Sequence, residues 1–255
     1  MKFLAVALVV CLSIEFTSAQ RSVTFDNIAA SVGVTVTNVN GASAEKYLVE
    51  TMGSGGLLFD YDNDGWVDLF LVDGGSLADA AVDARARHRL FRNMGKGMFG
   101  EVTESSGIRH SDYGMGACAG DVDNDGRSDL YITNYGPNVL YRNDGKGVFT
   151  DVTRAAGVGL AGWSTSCAFA DVDVDGDLDL FVTNYLDAAK SNNRFCGDAP
   201  RRIRVYCHPL VYQGLPNVLY LNDGKGVFTN ASAEAGLAKH IGNGLGVAVG
   251  DYDDD

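Results

Sequence analysis

The chain has 255 residues, 46% of them hydrophobic, and a formal net charge of −13. That apolar content supports a sizeable core and excludes a chain disordered by composition. The acidic balance, with no basic stretch to offset it, excludes nucleic acid as a partner.

Residues 1–19 read as a secretory signal peptide. Lys2 supplies the positive start, Phe3 to Ile14 form the apolar run, and Thr17-Ser18-Ala19 place cleavage after Ala19. The run is too short to span a bilayer, and no other segment reads as transmembrane. Val10 stands before Cys11, where a lipoprotein site wants a small residue, so a lipid anchor is not expected. The remainder, residues 20–255, reads as one repeat array that is secreted and extracellular. In an oxidising compartment Cys196 and Cys207, which bracket CGDAPRRIRVYC, are expected to form a disulfide. Cys118 and Cys167 occupy nearly equivalent positions in neighbouring repeats. They read equally well as buried small apolar side chains or as a second bridge.

Two motifs alternate along the mature chain. A partial copy of the second, VTFDNIAASVGV, begins at Val23. The first motif follows as DYDNDGWVD from Asp60, then as DVDNDGRSD from Asp121, DVDVDGDLD from Asp171, and DYDDD from Asp251 to the last residue. The second is LFRNMGKGMFGEVTESSGI from Leu90, LYRNDGKGVFTDVTRAAGV from Leu140 and LYLNDGKGVFTNASAEAGL from Leu219. Asn-Asp-Gly-Lys-Gly between alternating apolar residues marks a hairpin, because glycine takes positive φ without steric cost. The acidic loops are flanked by strand-like runs such as CAFAD and LDLFVTNY. One unit is therefore strand, acidic loop, strand, connection, strand, tight turn, strand. The second and third units are offset by 50 residues, Asp121 to Asp171. Four antiparallel strands in that length match a propeller blade. Insertions near 74–89 and 186–214 fall between the second and third strands of their units, so they are expected to project from one face.

Carboxylates at the first, third, fifth and ninth places around a glycine at the sixth make a cage for a hard cation, because without one they repel each other. The expected side-chain ligands are Asp60, Asp62, Asp64 and Asp68; Asp121, Asp123, Asp125 and Asp129; and Asp171, Asp173, Asp175 and Asp179. The main-chain carbonyls of Trp66, Arg127 and Asp177 are expected at the seventh place, and Asp251, Asp253 and Asp255 begin a fourth set. Oxygen-only ligands on flexible loops favour Ca²⁺ over zinc, copper or Mg²⁺. An EF-hand or dockerin-type loop is excluded, because the twelfth place holds Leu71, Ile132 and Val182, where a Glu or other acid is required.

These loops resemble the FG-GAP/VCBS repeats of the integrin α-subunit propeller. YCHPLVYQGLPNVLYLNDGKGVFTNASAEAGL from Tyr206 resembles, more narrowly, the repeats of the ASPIC/UnbV, cartilage acidic protein-like family. The resemblance implies an all-β protein: a secreted, seven-bladed β-propeller of four-stranded blades, with Ca²⁺ at the hairpin between the first two strands of a blade. Seven such blades need more residues than this chain supplies, so the propeller is expected to be incomplete here, with the last repeat truncated.

Catalytic chemistry finds no anchor. His88, His110, His208 and His240 lack metal-ligand spacing, and Ser164 and Ser166 sit in no nucleophile elbow. GNGLGVAVGD repeats the place of GSGGLLFD, a strand entering an acidic loop, and so is not expected to cradle phosphate. Asn230-Ala231-Ser232 is a glycosylation acceptor if the source is eukaryotic. The expectation is a non-enzymatic, secreted calcium-binding propeller acting as a protein-interaction or adhesion module for an extracellular protein or matrix ligand. The alternative is a lectin-like propeller in which Tyr113, Trp163 or Tyr212 stacks on a glycan, or the non-catalytic part of a larger polysaccharide-active enzyme.

Overall fold

The computed structural model describes residues 23–75, 77, 87–109 and 112–252. The signal-peptide reading, His110, Asp253 and Asp255 lie outside the described residues. Among the described residues no helix is long and apolar enough to cross a membrane.

The repeat unit is realised three times as a four-stranded antiparallel meander. The first comprises β1 (Gly56–Phe59), β2 (Asp68–Leu71), β3 (Arg89–Asn93) and β4 (Phe99–Glu101). The second comprises β5 (Gly114–Gly120), β6 (Asp129–Pro137), β7 (Val139–Asn143) and β8 (Phe149–Asp151). The third begins with β9 (Ala161–Ala170) and β10 (Asp179–Asn184). Its insertion then forms a separate hairpin, β11 (Cys196–Asp198) and β12 (Ile203–Val205), and the short β13 (Leu215–Pro216). It closes with β14 (Val218–Asn222) and β15 (Phe228–Asn230). These are the blades of an incomplete β-propeller, as the spacing predicts. In a meander the first and third turns share one end, so the acidic loops and the Gly-Lys-Gly turns lie together, with the 186–214 insertion at the other end; most of the insertion near 74–89 lies outside the described residues.

Period-two alternation packs the blades against each other. On β6, Leu130 and Ile132 face a core shared with Phe59, Phe70 and Leu90 of the first blade. Tyr131, between them in sequence, faces the opposite core with Leu180, Val182 and Tyr220 of the third. Both faces of the middle blade are thus buried, and no single blade could bury its own apolar residues. Cys118 on β5 and Cys167 on β9 lie in that second core and are bridged, with Cα atoms 5.8 Å apart. Cys196 and Cys207 are bridged as expected.

The end of β6 runs on to pair with the start of β9, Tyr135 opposite Trp163 and Gly136 opposite Gly162. The same relation recurs one blade later, where β13 pairs with β16 (Ile241–Gly242). Buried amides set this link: Asn138 Nδ2 donates to Ser164 Oγ (2.9 Å), which donates to Asn184 Oδ1 (2.8 Å). Residues 243–250, expected as a strand, form none. The partial motif at Val23 packs as the sequence implies: a Cβ on Gly33 would lie 2.4 Å from Phe99 O, as one on Gly107 would lie 2.7 Å from Phe149 O. Both glycines have positive φ, so each closes a turn directly against the outer strand of the next blade.

The inter-blade disulfide closes a far longer loop than the one in the insertion, 49 against 11 residues of separation. Loop-closure entropy then gives about 4 kcal/mol for the first and about 3 kcal/mol for the second. Thermal melting should show a larger loss for the paired Cys118→Ala, Cys167→Ala variant than for Cys196→Ala, Cys207→Ala. An equal or reversed order contradicts the role of the first as the clamp between blades.

Candidate metal centres

Each acidic loop folds around its first carboxylate. Asp60 accepts from the main-chain N–H groups of Asp64 (3.2 Å) and Gly65 (2.8 Å). Asp121 does so from Asp125 and Gly126, and Asp171 from Asp175 and Gly176. These bonds bend the chain back on itself, and the fourth residue takes the left-handed conformation: Asn63 and Asn124 at φ 57°, Val174 at 63°. Asparagine tolerates that region, whereas a β-branched side chain does not.

The ninth carboxylate is the most constrained. Asp68, Asp129 and Asp179 are 0%, 1% and 1% exposed. One oxygen of each accepts from the second residue of its loop: Tyr61, Val122 and Val172. The other accepts from the N–H of Asn93 (2.6 Å), Asn143 (2.7 Å) or Asn222 (2.9 Å) on the third strand. These asparagines escaped the sequence reading. Their signal was the invariant Asn of the three hairpin motifs, LFRN, LYRN and LYLN. The Asn143 amide also donates to Tyr61 O of the preceding loop (2.7 Å), and that of Asn222 to Val122 O (2.8 Å). Asn63 Nδ2 reaches Gly126 O (2.8 Å) and Asn124 Nδ2 reaches Asp177 Oδ1 (2.6 Å). The loops thus form one stitched row.

Three carboxylates converge in each loop: Asp60, Asp62 and Asp68; Asp121, Asp123 and Asp129; Asp171, Asp173 and Asp179, each set with one oxygen per residue within 4.8 Å of the others. The fifth-place carboxylates lie outside these sets. Asp64, Asp125 and Asp175 accept instead from the N–H of Trp66, Arg127 and Asp177. Of the fourth set of acids only Asp251 is among the described residues.

The donors fit a hard divalent ion. Asp62 Oδ1 and Asp123 Oδ1 are buried inside their clusters with no hydrogen-bond partner, a costly state for a carboxylate oxygen unless a cation meets it. Burial pushes the Asp129 carboxyl up to about 6, against the two N–H groups that favour its charge. Burial, then Asp125 and Asp121, raises that of Asp123 in the same way. Ca²⁺ taking six to eight oxygens would use these atoms together with main-chain carbonyls and water.

The family described as FG-GAP-like repeat matches twice, over residues 60–132 and 121–182. The chain carries FG-GAP-like repeats. Both matches begin at the first carboxylate of an acidic loop and end on the second strand of the next blade, so the repeats take in all three complete loops. No curated protein matches. Among solved structures, the chain is similar to an Agrocybe aegerita lectin described as recognising non-reducing terminal N-acetylglucosamine. The identity is 17% over 68% of this chain and 36% of that one, with a TM-score of 0.35, and at that score the likeness carries no argument. This chain spans about a third of that structure's length.

Two of the histidines accept main-chain hydrogen bonds. His88 is 1% exposed and accepts from Asp73 N at 3.1 Å. His208 accepts from Leu210 N beside it. Trp163 is 1% exposed, within an edge-to-face row running from Tyr113 through Tyr135 and Trp163 to Tyr185. Tyr113 and Tyr212 are also buried, while Trp163 lines a cavity with Tyr135, Leu186 and Leu215.

Val174 breaks the pattern set by Asn63 and Asn124 at a cost of about 1–2 kcal/mol for its left-handed backbone. Val174→Asn should raise the melting temperature by roughly 2–8 °C for a chain of this size. No gain would mean that the loop relaxes at no cost.

Proposed function

We propose that this chain is a secreted, non-enzymatic calcium-binding propeller that presents its insertion end to an extracellular protein or matrix ligand. The observation that carries the reading is the threefold convergence of three carboxylates, the ninth-place one buried each time, in the acidic loops of FG-GAP-like repeats. Asp60, Asp62 and Asp68, with their counterparts in the other loops, hold the ion, and the fifth-place Asp and seventh-place carbonyls complete its shell. The ion offsets repulsion that would otherwise open the hairpin. The resemblance of the motifs to integrin α-subunit and ASPIC/UnbV repeats supports an adhesion or interaction role, and the two disulfides fit an oxidising compartment.

The end opposite the metal loops is built for presentation. The insertion is tied down by its own disulfide, by Arg204 on Glu45 (2.7 Å) and by Tyr206 Oη on Glu50 Oε2 (2.9 Å). Beside it lies a cavity of about 430 Å³ lined by Tyr135, Trp163, Leu186, Ala188 and Leu215. A rigid, irregular surface on a repeat scaffold suits recognition of another macromolecule.

Thermal melting in CaCl₂ and in EDTA tests the metal role. With a dissociation constant of about 10⁻⁴ M, millimolar calcium adds about 1.4 kcal/mol per site, and the melting temperature should rise by several degrees. An unchanged melting temperature would remove the structural role of calcium. Adhesion of the chain to matrix-coated surfaces should be lost in EDTA; adhesion indifferent to EDTA contradicts the coupling of metal to presentation.

A further inference from the structure

The three loops share a backbone but not a counter-charge. In the first, the Arg92 guanidinium from β3 enters the acidic cluster. Its Nε lies 2.7 Å from Asp62 Oδ2 and its Nη2 donates to Asp64 Oδ2 at 2.8 Å. Asp62 is one of the three converging carboxylates there. In the second loop the equivalent Arg142 is drawn outward to Asp144 (2.7 Å). Arg127 engages only the fifth-place carboxylate, Asp125. In the third loop the equivalent residue is Leu221, and the seventh place adds a further acid, Asp177. No ion pair among the described residues reaches Asp171, Asp173 or Asp179.

One residue decides where the arginine goes. The hairpin turn reads Asn-Asp-Gly at Asn143 but Asn-Met-Gly at Asn93. Asp144 captures Arg142, whereas Met94, 63% exposed, offers Arg92 no acceptor and leaves it to the metal loop.

We infer that the calcium sites are graded, with the Asp171 loop filling first and the Asp60 loop last, because Arg92 already neutralises carboxylates that the ion must share. This rests on the calcium reading above. Binding at the Asp60 loop must displace or tolerate a guanidinium held by two carboxylates, while the Asp171 loop has five acids and no arginine. At low calcium the first blade's loop is held by the Arg92 pair, and only the later loops depend on the ion.

Terbium, which occupies calcium sites, separates the loops. Trp66 at the seventh place of the first loop is 54% exposed, whereas Trp163 is buried among the insertion-end aromatics. Tryptophan-sensitised terbium luminescence on the full chain therefore reports the first loop, with Trp66→Phe as the control that abolishes it. The sensitised signal should rise at higher terbium than calorimetric uptake by the whole chain. Arg92→Leu, which copies the third blade, should shift its midpoint to lower concentration by about fivefold or more, the factor equivalent to about 1 kcal/mol. Met94→Asp keeps Arg92 but offers it the partner that Asp144 gives Arg142, and should shift the midpoint the same way. Normal uptake with an unmoved midpoint in both variants overturns the grading alone. Absence of uptake in every variant overturns the calcium reading, and the grading with it.

Discussion

A buried carboxylate at the last place of each acidic loop holds the main-chain N–H groups of two different segments at once, and the blade is organised around it. Asp68, Asp129 and Asp179 each fasten the start of their own loop and the third strand of their own blade. A charge so placed is expensive. Two N–H donors offset part of the desolvation, and the raised carboxyl of Asp129 shows that part remains. The first and third carboxylates crowd the same space, and the unpartnered Oδ1 atoms of Asp62 and Asp123 mark where the compensation is incomplete.

The same economy runs from blade to blade. Side-chain amides reach across each junction, from Asn143 to Tyr61 and from Asn222 to Val122, so each loop's shape depends on its neighbour. The apolar residues do likewise: β6 contributes Leu130 and Ile132 to one core and Tyr131 to the next. A blade removed from the row loses a wall of its core and an anchor of its acidic loop together.

Much of this is legible in the sequence because the signals are local. A nonapeptide that must turn and a hairpin with glycines at fixed places specify four strands and their order. The acid spacing brings the first, third and ninth carboxylates together without long-range information. What stayed hidden is non-local. The pairing of Cys118 with Cys167 needs the side-by-side placement of β5 and β9, which spacing leaves open. The ninth Asp reads as a ligand alone until its bonds to Asn93, Asn143 and Asn222 are seen. The docking of the 186–214 insertion on Glu45 and Glu50 joins segments some 150 residues apart, 159 between Arg204 and Glu45. Two of the aromatics nominated for sugar stacking, Tyr113 and Trp163, are packed because the inner strands bring them with Tyr135 and Tyr185 into one row, which no single repeat reveals.

Calcium, in this account, completes a structure that hydrogen bonds have already shaped. The most direct measurement is an anomalous-difference map from crystals grown with millimolar CaCl₂. The account requires peaks within coordination distance of Asp62, Asp123 and Asp173, strongest at the last. Density for those carboxylates with no peak beside any of them would contradict it.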